Sequence, residues 1–202
     1  MLKLRWSPAS PFARKVRVAA QFTGHTDKLD LVTADTLNPE DPLRRDNPLG
    51  KIPCLILEDG TTLYDSRVIV EFLDHEAGGG KVLPADWKGR LAALKLQALA
   101  DGILDAALLQ LYEGRFRQPE KHEPGWITYQ AGKVERGLAT LEANPPAITD
   151  APDIGTITVA CMLEWIEFRF PGRTGPNYPA LMAFLAAFNA KFPGFGTTAP
   201  NA

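Results

Sequence analysis

The feature that most constrains this chain is a change of pattern at Gly78-Gly79-Gly80. Before those glycines, short strand-like and helix-like pieces alternate; after them, only helical periodicity remains. Three consecutive glycines followed by Leu83-Pro84 read as a linker, because glycine leaves the backbone free and proline blocks continuation of a helix or ladder. At 202 residues the chain is long enough for one large domain or two small ones, and either can bury a core. The expected division is residues 1–77 as a small α/β unit, 78–86 as the linker and 87–202 as an all-helical unit. No internal repeat or low-complexity segment interrupts either part.

Leu2 to Trp6 reads as a strand with Leu2 and Leu4 on one face. Ser7-Pro8-Ala9-Ser10-Pro11 cannot extend it, since each proline removes a donor and fixes φ. Ser10-Pro11 is instead a helix start, a capping residue followed by proline at the first helical position. Phe12, Val16, Ala19 and Ala20 then recur at helical spacing until Gly24. Lys28 to Thr33 alternates as a second strand, and Asn38 to Asp46 allows a short helix. Cys54 to Leu57, Glu58-Asp59-Gly60 and Thr61 to Tyr64 read as strand, turn and strand. Asp65-Ser66 opens a helix carrying Val68, Ile69, Phe72 and Leu73. The predicted order is β-α-β-α-β-β-α. Beyond the linker, helices are expected over Arg90 to Phe116, Trp126 to Leu141, Asp153 to Phe170 and Tyr178 to Phe192. The third of these is apolar nearly all round and is expected at the centre.

Composition narrows the function classes. Lys and Arg total 22 against 24 Asp and Glu, a net charge of −2, and neither half is a charged tail. That balance argues against nucleic acid or an acidic membrane surface as partner, both of which favour a basic patch. No apolar run reaches 18 residues, so no membrane span is expected. Met1 to Pro8 lacks a long apolar core before a small-residue cleavage site, and a cytoplasmic location is expected. Cys54 and Cys161 stand far apart in apolar runs. They offer no disulfide framework and no metal-ligand spacing, so no metal is expected.

Four local features can carry chemistry. Ser10 sits where a strand turns into a helix, beside free N–H groups and the positive end of the helix dipole; it is either a plain cap or a hydroxyl facing a bound anion. Asn47-Pro-Leu-Gly-Lys51-Ile52-Pro53 opens a strand with a proline, and a cis Ile52–Pro53 bond would turn the preceding backbone toward a ligand. Asp65-Ser66 is a cap by default, or a binding pair for an amine and a carboxylate. Asp101 and Asp105 place carboxylates on an apolar helix face, costly if buried unpaired.

The order and spacing of these motifs resemble the cytosolic glutathione S-transferase superfamily. Ser10-Pro11-Phe12-Ala13, then Asn47 to Pro53, then Tyr64-Asp65-Ser66, a linker and a helical bundle together cover essentially the whole chain. The resemblance implies a thioredoxin-like glutathione-binding domain followed by a C-terminal helical domain. It is strongest to small bacterial serine-type members and weaker to the zeta, theta and omega classes; omega-class members carry cysteine where this chain has Ser10. By position, the resemblance assigns Ser10 to the glutathione sulfur and Pro53 to the cis-proline. Ile52 backbone pairs with the cysteinyl unit, Lys51 reaches the glycyl carboxylate, and Asp65 and Ser66 hold the γ-glutamyl group. Asp101 is implied to reach the γ-glutamyl amine across a homodimer interface. The sixth helix begins Asp153-Ile-Gly-Thr156, where the family's capping box has an aspartate in place of the threonine.

The implied reaction makes a thiolate of glutathione, as co-substrate, for attack on a small and mostly apolar electrophile. Ala9, Tyr112, Phe116 and Trp165 are the expected pocket for that electrophile, each equally compatible with a core position. Ser7 is a rival hydroxyl without a helix start behind it. Two other readings remain open: a non-catalytic glutathione-binding or regulatory protein, and a glutathione-dependent reductase, which would want a cysteine at position 10.

Overall fold

A computed structural model describes residues 1–201. The N-terminal part runs β1 (Leu2–Trp6), α1 (Pro11–Phe22), β2 (Leu29–Thr33), α2 (Leu43–Asp46), β3 (Cys54–Ile56), β4 (Thr62–Leu63) and α3 (Ser66–Glu76). Its sheet has the order β2-β1-β3-β4, with β1 and β2 parallel and the other two pairings antiparallel. Leu4 lies opposite Leu31 and Leu55, and Leu4 and Leu55 are fully buried, which fixes the register from the core side. The β3–β4 turn forms as expected: Gly60 takes φ +87° and Asp59 Oδ1 accepts from Thr61 N at 2.8 Å.

The second part is helical: α4 (Trp87–Phe116), α5 (Pro124–Ala143), α6 (Ile154–Arg169) and α7 (Pro179–Lys191). The architecture is therefore the predicted α/β unit, thioredoxin-like, followed by a helical bundle. Two helices start earlier than apolar periodicity predicted. Asp86 caps α4 by accepting from Gly89 N at 2.8 Å, and Glu123 caps α5 ahead of Pro124. At α6, Asp153 Oδ1 accepts from Thr156 N at 2.8 Å, while the Thr156 hydroxyl donates to the Asp153 carbonyl instead of completing a capping box.

Helix α6 is central, buried from Ile154 through Leu163 and again at Trp165 and Ile166. Gly155 permits its close approach to α4: a Cβ there would stand 2.8 Å from the Ala93 carbonyl. One apolar core runs through both parts, joining Leu4, Val16 and Ile69 to Leu104, Ile157 and Phe188. The glycine linker is pinned. Asp74, buried at the end of α3, accepts from the backbone N–H groups of Gly80, Lys81, Val82 and Leu83 at 2.8–3.2 Å. The Val82 carbonyl then accepts from Ile154 N at 2.8 Å, tying the linker to the start of α6. The C-terminal turn Pro193–Thr198 returns to α1, where the Arg14 guanidinium lies 4.0 Å over the Phe195 ring and donates to Thr198 Oγ1. No helix among the described residues is long and apolar enough to cross a membrane.

Candidate active site

A cleft of about 450 Å³ opens where the β1–α1 turn and the loop before β3 face α4 and α6. Ser7, Ala9, Ser10, Lys51 and Ile52 line it from the first part, and Tyr112 and Trp165 from the second. Each is held there by local structure. Ser10 caps α1, its Oγ accepting from Ala13 N at 3.2 Å, and its own N–H donates to the Ser7 carbonyl at 3.1 Å. A serine hydroxyl has one donor and two acceptor sites. Accepting from Ala13 therefore leaves its O–H free to donate, so capping and a role toward an anion are compatible.

Lys51 and Ile52 are presented by a braced loop. The buried Asn47 donates from Nδ2 to the Lys51 carbonyl at 2.8 Å and accepts from Leu49 N at 3.0 Å, while Gly50 takes φ +60°. The Ile52–Pro53 peptide is cis, as is Tyr64–Asp65. Trp165 forms the floor: its indole N–H donates to the Ala9 carbonyl at 2.9 Å, joining α6 to the turn that carries Ser10.

Other expected site residues stand apart from this lining. Pro53 is buried behind Ile52. Asp65 caps α3, accepting from Arg67 N at 2.9 Å, and Ser66 is buried beside it. Phe116 lies outside the lining, 61% exposed and edge-on to Tyr112 at 5.3 Å between ring centroids. It follows Tyr112 by one turn at the far end of α4, beyond the cleft. Neither Phe116 nor Tyr112 is a core residue; Trp165 is both core and lining.

Asp101 has its partners within the chain. A carboxylate on an apolar helix face is costly if buried unpaired; Asp101 is 1% exposed within this chain, yet it is paired there. Lys15 Nζ donates to its two oxygens at 2.7 and 2.9 Å, and Arg67 Nε donates at 3.0 Å. Burial pushes the Lys15 ammonium down and Asp101 opposes that shift. The cluster locks α1, α3 and α4 together.

The lining also includes residues outside the expected pocket, of which Asp105 already stands out in the sequence as a carboxylate on an apolar helix face. Asp105, Leu108 and Arg115 come from α4 and Arg169 from α6. Their spacing was the available signal: 105, 108, 112 and 115 form one stripe of a helix, and 169 follows 165 by four. Burial, then the neighbouring Asp101 charge, push the Asp105 carboxyl up. Cys54 and Cys161 are both buried, and burial raises each thiol to about 11. No cluster of three His, Cys, Asp or Glu side chains among the described residues has the makings of a metal site.

Known proteins resemble this chain in sequence and in fold. Residues 9–76 match the glutathione S-transferase N-terminal domain. The chain is 32% identical over 180 residues to the uncharacterized GST-like protein YibF of Escherichia coli (strain K12), covering 88% of this chain and 86% of that one. It superposes on a glutathione S-transferase from Methylobacillus flagellatus KT with glutathione bound (TM-score 0.91, 40% identity, all of both chains). A glutathione transferase family member from Pseudomonas fluorescens Pf-5 with bound S-(propanoic acid)-glutathione gives a TM-score of 0.88 at 40% identity, again over all of both chains. With full-length similarity in sequence and in fold, the chain belongs to the glutathione S-transferase family.

Proposed function

We propose that this protein is a serine-type glutathione transferase that activates glutathione as a thiolate at Ser10 for attack on a small electrophile. The observation that carries the reading is the Ser10 hydroxyl, whose O–H is free to donate into the cleft at the first turn of α1. Glutathione bound to the Methylobacillus protein and an S-substituted glutathione bound to the Pseudomonas protein support the choice of co-substrate. Ile52 backbone takes the cysteinyl unit, with Pro53 shaping that turn. Lys51 takes the glycyl carboxylate, and Asp65 and Ser66 take the γ-glutamyl group. Ala9, Tyr112 and Trp165 border the electrophile. Asp101 acts through Lys15 and Arg67 as a positioning residue, since its oxygens are occupied within the chain. Residues 1–77 form the glutathione-binding unit, 78–86 the pinned linker and 87–202 the unit that contributes the electrophile side.

The energetics suffice. A free thiol has a pKa near ~8.5, so about 3% is ionised at pH 7. A hydrogen bond from Ser10 to the developing thiolate contributes about 1.5–3 kcal/mol, and the helix start about 0.3–1 kcal/mol. At about 1.4 kcal/mol per unit, the thiol pKa falls by roughly one to three units. The thiolate then forms a C–S bond with the electrophilic carbon, whose leaving group departs with its electron pair, and no covalent bond to the protein is made. The reductase reading has no nucleophile to use, because both thiols are buried and protonated at neutral pH. Turnover of glutathione with 1-chloro-2,4-dinitrobenzene tests the proposal. Ser10→Ala is expected to lower kcat/KM by roughly 10- to 100-fold, about the worth of one charge-assisted hydrogen bond. Wild type that binds glutathione without any turnover would support a binding protein instead.

A further inference from the structure

The two ends of the cleft differ in charge. One stripe of α4 carries Asp101, Asp105, Leu108, Tyr112 and Arg115, so Arg115 lies about 15 Å beyond Asp105 along the axis at 1.5 Å per residue. On α6, Arg169 follows Trp165 by one turn, about 6 Å farther from the bond to Ala9 that marks the Ser10 end. Arg115 and Arg169 therefore converge at the outer mouth, and both line the cleft.

These two arginines differ from five others in the chain. Arg5, Arg14, Arg67, Arg90 and Arg117 each pair with a carboxylate. Among the described residues, neither Arg115 nor Arg169 does. Arg169 Nε is buried without a hydrogen-bond partner, and its guanidinium carbon lies 4.5 Å from the centroid of the Phe168 ring. The nearby acids are engaged elsewhere. Glu113 pairs with Arg117, Glu164 with Arg14, and Glu167 accepts from Gly172 and Thr174. Arg115 also lowers the Arg169 pKa, after burial, so the two cations stand close enough to repel. Arg115 is exposed, over the Tyr112 ring, and Arg169 is half-buried. Two adjacent cations at a cleft mouth without an acid between them are stabilised by an anion that accepts from both.

We propose that Arg115 and Arg169 form an anion subsite at the outer end of the cleft, and that the electrophile carries a carboxylate a few bonds from its reactive carbon. The inference rests on the transferase reading for the word electrophile; the anion subsite itself does not. With a halogenated acid, the thiolate carbon–sulfur bond forms as the carbon–halogen bond breaks. Halide leaves with the bonding pair, the thiol proton goes to solvent, and the carboxylate stays on the arginines throughout.

Calorimetry with two product-like ligands separates the claims. S-(2-carboxyethyl)glutathione is expected to bind wild type about tenfold or more tighter than S-propylglutathione, the size expected for hydrogen bonds to a charged group. That ratio should fall as salt rises and collapse toward one in Arg115→Gln and in Arg169→Gln, with Arg169→Lys keeping part of it. The wild-type ratio and its salt dependence hold the test even if a variant fails to fold. Equal binding of the two ligands by wild type, or variants that weaken both in proportion, would overturn the subsite. Turnover of 1-chloro-2,4-dinitrobenzene against 4-chloro-3,5-dinitrobenzoate is the second arm. Preference in binding with no turnover of either compound keeps the subsite and removes the transferase reading. Turnover of both without preference does the reverse.

Discussion

In the proposed reaction the side chain at position 10 carries the chemistry, and its capping geometry is what leaves it available. The hydroxyl accepts from Ala13 on one side and keeps its proton for the other. Ser10, Lys51 and Ile52 were legible in the sequence because capping residues and prolines act locally, within a turn of where they stand. Arg115 and Arg169 were not. A charged residue on an amphipathic helix ordinarily marks the solvent side, and an arginine in a last turn ordinarily complements the helix dipole. Only the meeting of α4 with α6 turns them into a lining. Asp74 shows the same limit. It reads as one more polar residue of α3, yet it alone satisfies four N–H groups of the linker. Asp74→Ala leaves those donors buried or loose and is expected to cost about 2–4 kcal/mol. The melting temperature should fall by roughly 4–16 °C for a chain of this size. A melting temperature unchanged within a degree would show the linker is held by something else.

Among elements, helix existence was readable and helix beginnings were not. The apolar periods of α4 and α5 start after their caps, so Asp86 and Glu123 lay outside the pattern used to find them. The end of α6 has its own carboxylate device. Glu167 accepts from Gly172 N at 2.6 Å and from the Thr174 hydroxyl and backbone, closing the turn that follows the helix. The Thr174 hydroxyl first, then the backbone N–H groups, hold its carboxyl below the usual range. A depressed folded pKa means stability that is present above the unfolded value, near ~4.3, and lost as pH falls through the folded one. Chemical unfolding at pH 5 and at pH 3 should therefore show a smaller acid loss in Glu167→Gln than in wild type. Equal losses in the two proteins would contradict this account of the turn.

At the scale of the whole molecule, the glycines suggested two loosely joined parts, whereas one apolar core and the Lys15–Asp101–Arg67 cluster join them. Local sequence signals carry no record of contacts between distant segments, which is why the joint was invisible. A homodimer is still expected, now on the exposed apolar side chains Val68 of α3 and Trp87 and Leu91 of α4. Light scattering after size exclusion should give twice the chain mass of 22.1 kDa, and a monomer at micromolar concentration would count against it. The central claim concerns the thiol that the assembled cleft activates. The most direct test is the thiolate absorbance of bound glutathione near ~240 nm, titrated with pH in wild type and Ser10→Ala. The account predicts ionisation about one unit or more below the free thiol in wild type, and its return to the free value in Ser10→Ala with glutathione still bound. Wild type that binds glutathione with an unshifted thiol would contradict it and leave Ser10 as a helix cap.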